Sequence, residues 1–386
     1  MKKIRGRIVT PRGIIDGTVA LEQGRIAEVS AGPDANGSAR DFGDAWIVPG
    51  FIDIHMHGLG KHVTYDVVAM VEVARMQSRF GTTGFLPGVA SMTEEQYLDF
   101  GRNVVEARER TGLETAEILG AHFEGPFINP AGKGGMDEAY LRPIDLDECR
   151  RYLDVTGDAL KLMTLSPELP GAEALIHLLR DHGVVASIGH SRANPEQLDR
   201  AVDAGLTQVC HVFNTFERSP KPDPDWPWAP GLLDAVLDHP GLDFEVVCDM
   251  VHVRPEHVLL VAQKAGPDRF LAITDSLPGA GLPPGEYEMV DGRMFSTADG
   301  AARLVSDGTL VGSVLTMNRA LANLIQTCRI DPVTAVKYTS TNAARALGLD
   351  EELGSIEPGK RANLAVLDEG FDCLATLRDG RLIHER

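Results

Sequence analysis

Histidine and acidic residues in this chain recur at the carboxyl ends of short apolar segments. His55 and His57 close the segment GFIDIHM, and because side chains alternate along a strand, both lie on one face. Other apolar segments end in single residues of the same chemical type: Glu124, His190, His211 and Asp275. Imidazole and carboxylate groups together suit Zn²⁺ and other first-row divalent ions. The pattern therefore predicts a metal site that activates water for hydrolysis.

The prediction depends on the joint pattern, because a lone histidine at a strand end is more often structural than a ligand. His122 lies two residues before Glu124 and shares its face, and we interpret it as structural. Other histidines occur in helix-like or loop-like surroundings and are interpreted as solvated or structural: His62, His177, His182, His239, His257 and His384.

The middle of the chain alternates short apolar segments with longer helical patterns, which is typical of β/α repeats. VVASIGH, for example, precedes the helical pattern NPEQLDRAVDAG. Seven or eight such repeats over about 300 residues fit a (β/α)8 TIM-type barrel, although a doubly wound sheet would give the same alternation. The barrel is favoured because its strands end on one face, where the polar residues would meet.

Both ends of the chain have a different pattern, with short alternating segments separated by Gly or Asp. The sequence DGR at 379–381 is a hairpin signal near the carboxyl terminus. We therefore expect residues 1–48 and 350–386 to form one small β-sandwich domain, built from both termini. Residues 49–349 would then form the (β/α)8 barrel domain.

Composition excludes several classes of function. The formal net charge of −19 argues against nucleic acid or an anionic membrane surface as a partner. The five cysteines show no CxxC spacing, and their odd number favours reduced thiols. A positively charged start without a following apolar region, and the absence of any apolar run of about 18 residues, predict a cytoplasmic protein.

Several motifs are similar to those of a known enzyme family. The segments PGFIDIHMHG, HFEGPFIN, SIGHS, HVFN, DMVHV, ITDSLPGAG and GSIEPGKRANLAVLD occur in family order over essentially the whole chain. They resemble the N-acetylglucosamine-6-phosphate deacetylases of the amidohydrolase superfamily. The resemblance implies a (β/α)8 barrel with a small β-sandwich, removal of an acetyl or related acyl group from an N-acetylated amino sugar, and a homodimer.

The resemblance also implies roles for individual residues. Glu124, His190 and His211 match the ligands of the main metal, and His55 and His57 match those of a second metal that some members bind. Asp275 matches the catalytic aspartate, which would act as general base and then general acid. Matches to substrate-contacting positions are Asn214, Thr215, His252 and Val311. We expect one or two divalent ions, with zinc preferred and iron, manganese or cobalt also compatible.

Two positions depart from the family pattern. Met136 in KGGM replaces a histidine that holds the substrate carbonyl, and a thioether cannot donate a hydrogen bond. Trp228 replaces an arginine that binds the sugar phosphate in many members, and Asp223 and Asp225 lie nearby. Arginine is the natural bidentate phosphate ligand, whereas indole is not. The substrate is therefore either a sugar phosphate or an unphosphorylated N-acyl compound.

Two further hypotheses about function remain open from the sequence. A lactonase or amidase could use the same residues on a non-phosphorylated substrate, because an activated water attacks esters as well as amides. A non-catalytic binding protein is a remote alternative, since drift would be expected to erase at least one of the six site residues.

Overall fold

The computed structural model describes residues 2–34, 37–216, 231–289, 291–298 and 300–386. Within them, eight parallel strands pair in sequence order as a barrel: Phe51–Met56, Thr82–Ala90, Ala121–Glu124, Leu160–Leu165, Val185–Ile188, Gln208–Val209, Asp243–Val247 and Phe270–Ile273. The backbone N–H of Asp275 donates to His55 O at 2.9 Å, and Met56 bridges Ser276. These contacts join the last strand to the first, so the predicted barrel is confirmed.

Helices follow the barrel strands and cover their outer surface. The α-helical segments are Val67–Gln77, Glu94–Arg110, Leu146–Thr156, Ala172–Asp181, Pro195–Ala204, Leu232–Asp238, Pro255–Ala265, Met317–Ala322, Pro332–Val336 and Asn342–Ala346. Short 3₁₀ turns occur at Ser78–Phe80, Pro130–Gly132, Glu138–Tyr140 and Gly157–Ala159, and π-helical turns at Asn323–Thr327 and Lys337–Thr341. Local sequence explains several starts, because Thr93 with Gln96 and Asn194 with Gln197 form capping boxes.

One barrel strand was missed in the sequence. Thr82–Ala90 reads TTGFLPGVA, and its two glycines and its proline obscure the apolar pattern. The strand pairs on both sides and almost all of it is buried. Tertiary packing thus stabilises this strand although its local sequence preference for a strand is weak.

The two ends of the chain form one mainly antiparallel sheet beside the barrel. Its strands are Lys3–Thr10, Gly13–Glu22, Arg25–Ala31, Arg40–Pro49, Leu364–Leu367, Cys373–Arg378 and Arg381–Glu385. The predicted hairpin is present, with Arg378 opposite Arg381 and positive φ at both Asp379 (48°) and Gly380 (71°). The fold class, a barrel with a β domain built from both termini, is confirmed, whereas the division at 48/49 and 349/350 stays a prediction.

A further antiparallel sheet lies between the last barrel strand and the helix that begins at Met317. Its strands are Glu286–Glu288, Met294–Ala298, Ala301–Leu304 and Leu310–Ser313. Ser313 bridges Ser276, so this sheet starts beside the closing edge of the barrel. Two-residue strands at Gly58–Leu59 and His62–Val63 pair with each other, and Glu117–Ile118 pairs with Thr82–Ala90. Among the helices described, none is both long and apolar enough to cross a membrane.

Candidate metal centre

The six residues singled out in the sequence meet at one end of the barrel. His55 lies in its strand, Glu124 is the last residue of its strand, and His57 directly follows Met56. His190, His211 and Asp275 each lie two residues beyond the end of a strand. Catalytic residues of such barrels lie at the carboxyl ends of the strands, and these side chains occupy that position.

Three of these residues have a left-handed backbone. The φ angles are 51° at His190, 22° at His211 and 48° at Asp275. Non-glycine residues adopt this region at a cost of about 1–3 kcal/mol, and such residues cluster at functional sites. The strain at three strand ends around one cluster favours a functional reason for their conformation.

One oxygen of Glu124 faces the first pair of histidines. Nε2 of His190 and Nε2 of His211 each lie 2.9 Å from Oε1 of Glu124, and the two nitrogens are 3.1 Å apart. At 3.1 Å the two Nε2 atoms of His190 and His211 are too close for both to carry a hydrogen directed at the other. A cation fits this donor set, since three lone pairs converge on one point.

The other oxygen of Glu124 faces the second pair. Nε2 of His57 lies 3.2 Å from Oε2 of Glu124 and 3.5 Å from Oδ1 of Asp275. Nε2 of His55 lies 3.2 Å from Nε2 of His57 and 3.7 Å from Oδ1 of Asp275. Glu124 thus lies between two groups that could each hold an ion, Glu124–His190–His211 and His55–His57–Asp275.

The electrostatics of the cluster follow from burial and close approach. Burial opposes ionisation of Glu124, but hydrogen bonds from His190 and His211 hold the pKa of its carboxyl well below the ordinary value. Burial by itself would lower the pKa of the imidazoles of His55 and His211. Neighbouring Cys210 and acidic groups outweigh it, and both pKa values lie well above normal. Because an imidazole must be neutral to ligate, a bound ion would compete with these protons.

A cavity of about 610 Å³ opens above the cluster. Its lining includes His57, Glu124, His190, His211 and Asp275, together with residues predicted to contact substrate: Met136, Asn214, Thr215, His252 and Val311. Trp228, the remaining predicted contact, lies outside the described residues. Among the predicted site residues that the structure describes, all but His55 line this cavity, and His55 is fully buried against His57.

Two of the lining residues offer polar groups to a ligand. Nδ1 of His252 lies 2.6 Å from Oδ2 of Asp249, and Oδ1 of Asp249 accepts the backbone N–H of His252 at 2.9 Å, so Nε2 of the ring is left for a partner. Nδ2 of Asn214 is buried and has no hydrogen-bond partner among the described residues. A buried amide donor without a partner is costly, and a ligand in the cavity would satisfy it.

Comparison with known proteins places this site in a family. The chain is 31% identical to N-acetylglucosamine-6-phosphate deacetylase of Bacillus subtilis, over 97% of this chain and 95% of that protein. The chain belongs to the N-acetylglucosamine-6-phosphate deacetylase family. Residues 293–383 also match the family model described as "Amidohydrolase family".

Solved structures of the deacetylase family have the same fold. The Mycobacterium smegmatis enzyme in complex with N-acetyl-D-glucosamine-6-phosphate superposes with a TM-score of 0.90 at 27% identity, covering 99% of each chain. The Thermotoga maritima enzyme gives a TM-score of 0.87 at 29% identity, again covering 99% of each chain. The chain is therefore a hydrolytic enzyme of the amidohydrolase superfamily.

The loop that carries Met136, where the family resemblance led us to expect a histidine, packs directly over the ligand cluster. His190 Nδ1 lies 3.0 Å from the carbonyl oxygen of Gly132. A Cβ at Gly135 would lie 2.9 Å from Cγ1 of Val311, so glycine is needed for this close approach. Met136 itself is buried and lines the cavity. The position offers an apolar surface rather than a hydrogen-bond donor.

Arg293 lines the cavity and was missed in the sequence. Its Nε donates to Oδ2 of Asp291 at 2.7 Å, and its Nη1 donates to the carbonyl oxygen of Gly135 at 2.9 Å. The guanidinium is therefore engaged on two sides by groups of the same chain. The motif DGR at 291–293 indicates only a turn, so no local signal would have placed it here.

Two buried groups lie behind the ligands. His122 packs edge-on against His55, with ring centroids 4.5 Å apart, and its Nε2 lies 2.9 Å from Oγ1 of Thr164. It belongs to none of the candidate metal groups found among the described residues, and its interpretation as structural stays a prediction. Glu245 lies 2.8 Å from Nδ1 of His55 and was missed. A glutamate within the apolar strand DFEVV was a signal that could have found it.

Proposed function

We propose that this chain is a metal-dependent deacetylase that hydrolyses the amide of an N-acetylated amino sugar. The observation that carries the proposal is the two adjacent ligand groups, Glu124–His190–His211 and His55–His57–Asp275, with a cavity above them. The substrates named for the relatives, amino-sugar phosphates, agree with this reaction.

Ions bound by these groups would provide the electrophile. Glu124, His190 and His211 would hold one ion, and His55, His57 and Asp275 a second, with zinc preferred for its affinity for imidazole and carboxylate. When bound, a divalent ion supplies an activated water and polarises the amide carbonyl. Metal analysis of protein purified without chelator would identify the ion, and iron, manganese or cobalt would correct the preference for zinc.

The chain's own residues would move the proton and orient the sugar. Asp275 would accept a proton from the attacking water and return it to the amine that leaves. His252 and Asn214 would bind sugar oxygens through Nε2 and Nδ2, which have no described partner inside the protein. Met136 and Val311 would pack against the acyl group, because both border the cavity beside the loop over His190.

The phosphorylation state of the substrate divides the two candidate functions. N-acetylglucosamine 6-phosphate is the first candidate, by family membership. An unphosphorylated N-acyl amino sugar is the second, because the guanidinium of Arg293 is held by Asp291 and because Trp228 stands where the family resemblance implies a phosphate-binding arginine. Arg218 and Lys221, which could supply positive charge, and Trp228 lie outside the described residues.

Steady-state kinetics with matched substrates separates these candidates. The ratio of kcat/KM for N-acetylglucosamine 6-phosphate to that for N-acetylglucosamine is the measurement, with N-acetylgalactosamine 6-phosphate as control for the sugar. A ratio above about 1,000, which is roughly 4 kcal/mol, assigns the phosphate ester and excludes the second candidate. A ratio near one assigns the unphosphorylated sugar. No turnover of any N-acetyl sugar, with full metal content, would overturn the proposal.

We also propose that the enzyme works as a cytoplasmic homodimer. The cysteines Cys149, Cys210, Cys248, Cys328 and Cys373 are all buried and unpaired, which suits a reducing compartment. The dimer rests on family resemblance. Light scattering after size-exclusion chromatography tests it, and a mass near the 41.7 kDa of one chain would contradict it.

A further inference from the structure

A buried carboxylate lies directly behind the candidate ligand His55. Glu245 is the central residue of the strand Asp243–Val247, and it is completely inaccessible to solvent. An ionised carboxylate without water needs hydrogen bonds and a nearby positive charge, since burial otherwise costs several kcal/mol. Its surroundings therefore indicate where a cation belongs.

The contacts of Glu245 come from a histidine, an amide and a backbone N–H rather than from a lysine or an arginine. Oε2 lies 2.8 Å from Nδ1 of His55 and accepts the backbone N–H of His211 at 3.3 Å. Oε1 accepts Nε2 of Gln208 at 2.5 Å. In the part of the chain that the structure describes, no lysine or arginine forms an ion pair with this carboxylate. The compensating charge must act through His55.

The hydrogen bond to Glu245 determines which nitrogen of His55 is available. With Nδ1–H donated to the carboxylate, the neutral ring has its lone pair on Nε2. That nitrogen lies 3.2 Å from Nε2 of His57 and 3.7 Å from Oε2 of Glu124. A carboxylate that orients a histidine from behind is a common arrangement in metal sites.

The same carboxylate connects the two halves of the centre. Through the backbone N–H of His211 it contacts the segment that carries a ligand of the first group. Through His55 it contacts a ligand of the second group. Replacing Glu245 should therefore act mainly on the second group, where it touches a ligand side chain, and less on the first, where it touches backbone alone.

We propose that Glu245 is a positioning residue that holds His55 in the ligating tautomer and supplies the negative charge for a second divalent ion at His55–His57–Asp275. The inference rests on the proposed function, in that it assumes the centre binds metal. It goes further in assigning a positioning role to Glu245, which lies behind the ligands and contacts His55 and the backbone of His211.

The test is metal stoichiometry with the full-length enzyme and no substrate. Metal-free wild type and Glu245→Gln are equilibrated with buffered Zn²⁺, and bound zinc per chain is measured. Wild type should bind two ions, whereas the variant should bind one tightly and the second about 10- to 100-fold more weakly. Asp243→Asn is the matched control, because it makes the same charge change two residues away in the same strand and pairs with Arg345 instead.

Two results would overturn the assignment. Wild type binding a single ion would show that His55, His57 and Asp275 do not hold a second one, and unchanged second-ion affinity in Glu245→Gln would show that the carboxylate has no positioning role. If that variant fails to fold, Glu245→Asp decides, because it keeps the charge but draws it away from His55. Wild-type affinity in Glu245→Asp would also overturn the proposal. Because no substrate is present, failure of the proposed deacetylation would not alter the ion count.

Discussion

The floor and the wall of the cavity differ in how they are built. The floor consists of His55, His57, Glu124, His190, His211 and Asp275, which lie at the ends of barrel strands and contact one another. The wall includes Met136, Asn214, Thr215, His252, Arg293 and Val311, which lie mainly on loops and on the sheet before Met317.

Because of this difference, we expect the floor residues to determine the reaction and the wall residues to determine which substrate is accepted. Floor residues are held by the barrel backbone and by each other, so a single replacement disturbs several contacts. Wall residues sit on connections that vary without affecting the barrel, which is where specificity can change. The departures at Met136 and Trp228 fall on the wall or outside the described residues, while the floor has every expected residue.

Removing the ions should have the largest effect, because it disables the floor completely. Treatment with a chelator should reduce deacetylation below about 1% of its starting rate, since the electrophile is lost. Adding zinc back to chelated protein should restore it. Substantial activity in protein shown to be metal-free would break the assignment of the floor to catalysis.

Asp275→Asn should give the next largest effect, with kcat reduced about 100- to 10,000-fold through loss of the general base. The amide keeps the shape of the side chain but cannot accept the proton. Asp291→Asn serves as control on the wall and should leave kcat within a few-fold of wild type. A comparable loss in both variants would contradict the contrast between floor and wall.

Met136→His would sharpen the comparison by returning a donor to the wall. Loss of an oxyanion donor costs about 3–4 kcal/mol in other enzymes, so a well-placed histidine could raise kcat substantially. Because the loop here packs around a thioether, we expect a smaller gain, about 10-fold or less. Met136→Leu is the control for side-chain volume, and a gain in both variants would rule out a hydrogen-bonding cause.

Asp291→Asn should also change selectivity, because it releases the guanidinium of Arg293. The preference for phosphorylated over unphosphorylated sugar should rise about 10-fold, as expected for one new charge-assisted hydrogen bond. The change should appear in KM. Arg293→Met combined with Asp291→Asn should abolish it, and persistence in the double variant would assign the effect elsewhere.

The smallest effect concerns stability and pH. Burial lowers the pKa of His122 well below its ordinary value of 6.5, with the nearby imidazole of His55 adding to the effect. As pH falls below about 6.5, the unfolded chain binds a proton that the folded chain does not, so stability decreases. The free energy of unfolding of the chelated protein should fall by roughly 1.4 kcal/mol more between pH 7.5 and 5.5 in wild type than in His122→Gln. Equal pH dependence would contradict this, because it would mean that His122 has the same pKa in the folded and the unfolded chain.

The sequence alone predicted most of the floor, since residue type and strand-end position are local properties. His55 and His57 could be assigned to one face from their spacing, and the β/α alternation indicated that the strand ends would converge. The strand Thr82–Ala90 could not be predicted because Gly84, Pro87 and Gly88 interrupt its apolar pattern. Its position in the barrel depends on pairing with two neighbouring strands.

Only the tertiary structure decided which groups stand behind and around the ligands. Glu245 meets His55 across 190 positions of sequence, and Arg293 meets Gly135 across 158. Such contacts depend on how the barrel closes and where its connections pack, which no local pattern encodes. The residue types at the strand ends determined what chemistry the chain could perform. The packing of distant segments determined how its ligands are oriented and what its cavity can admit.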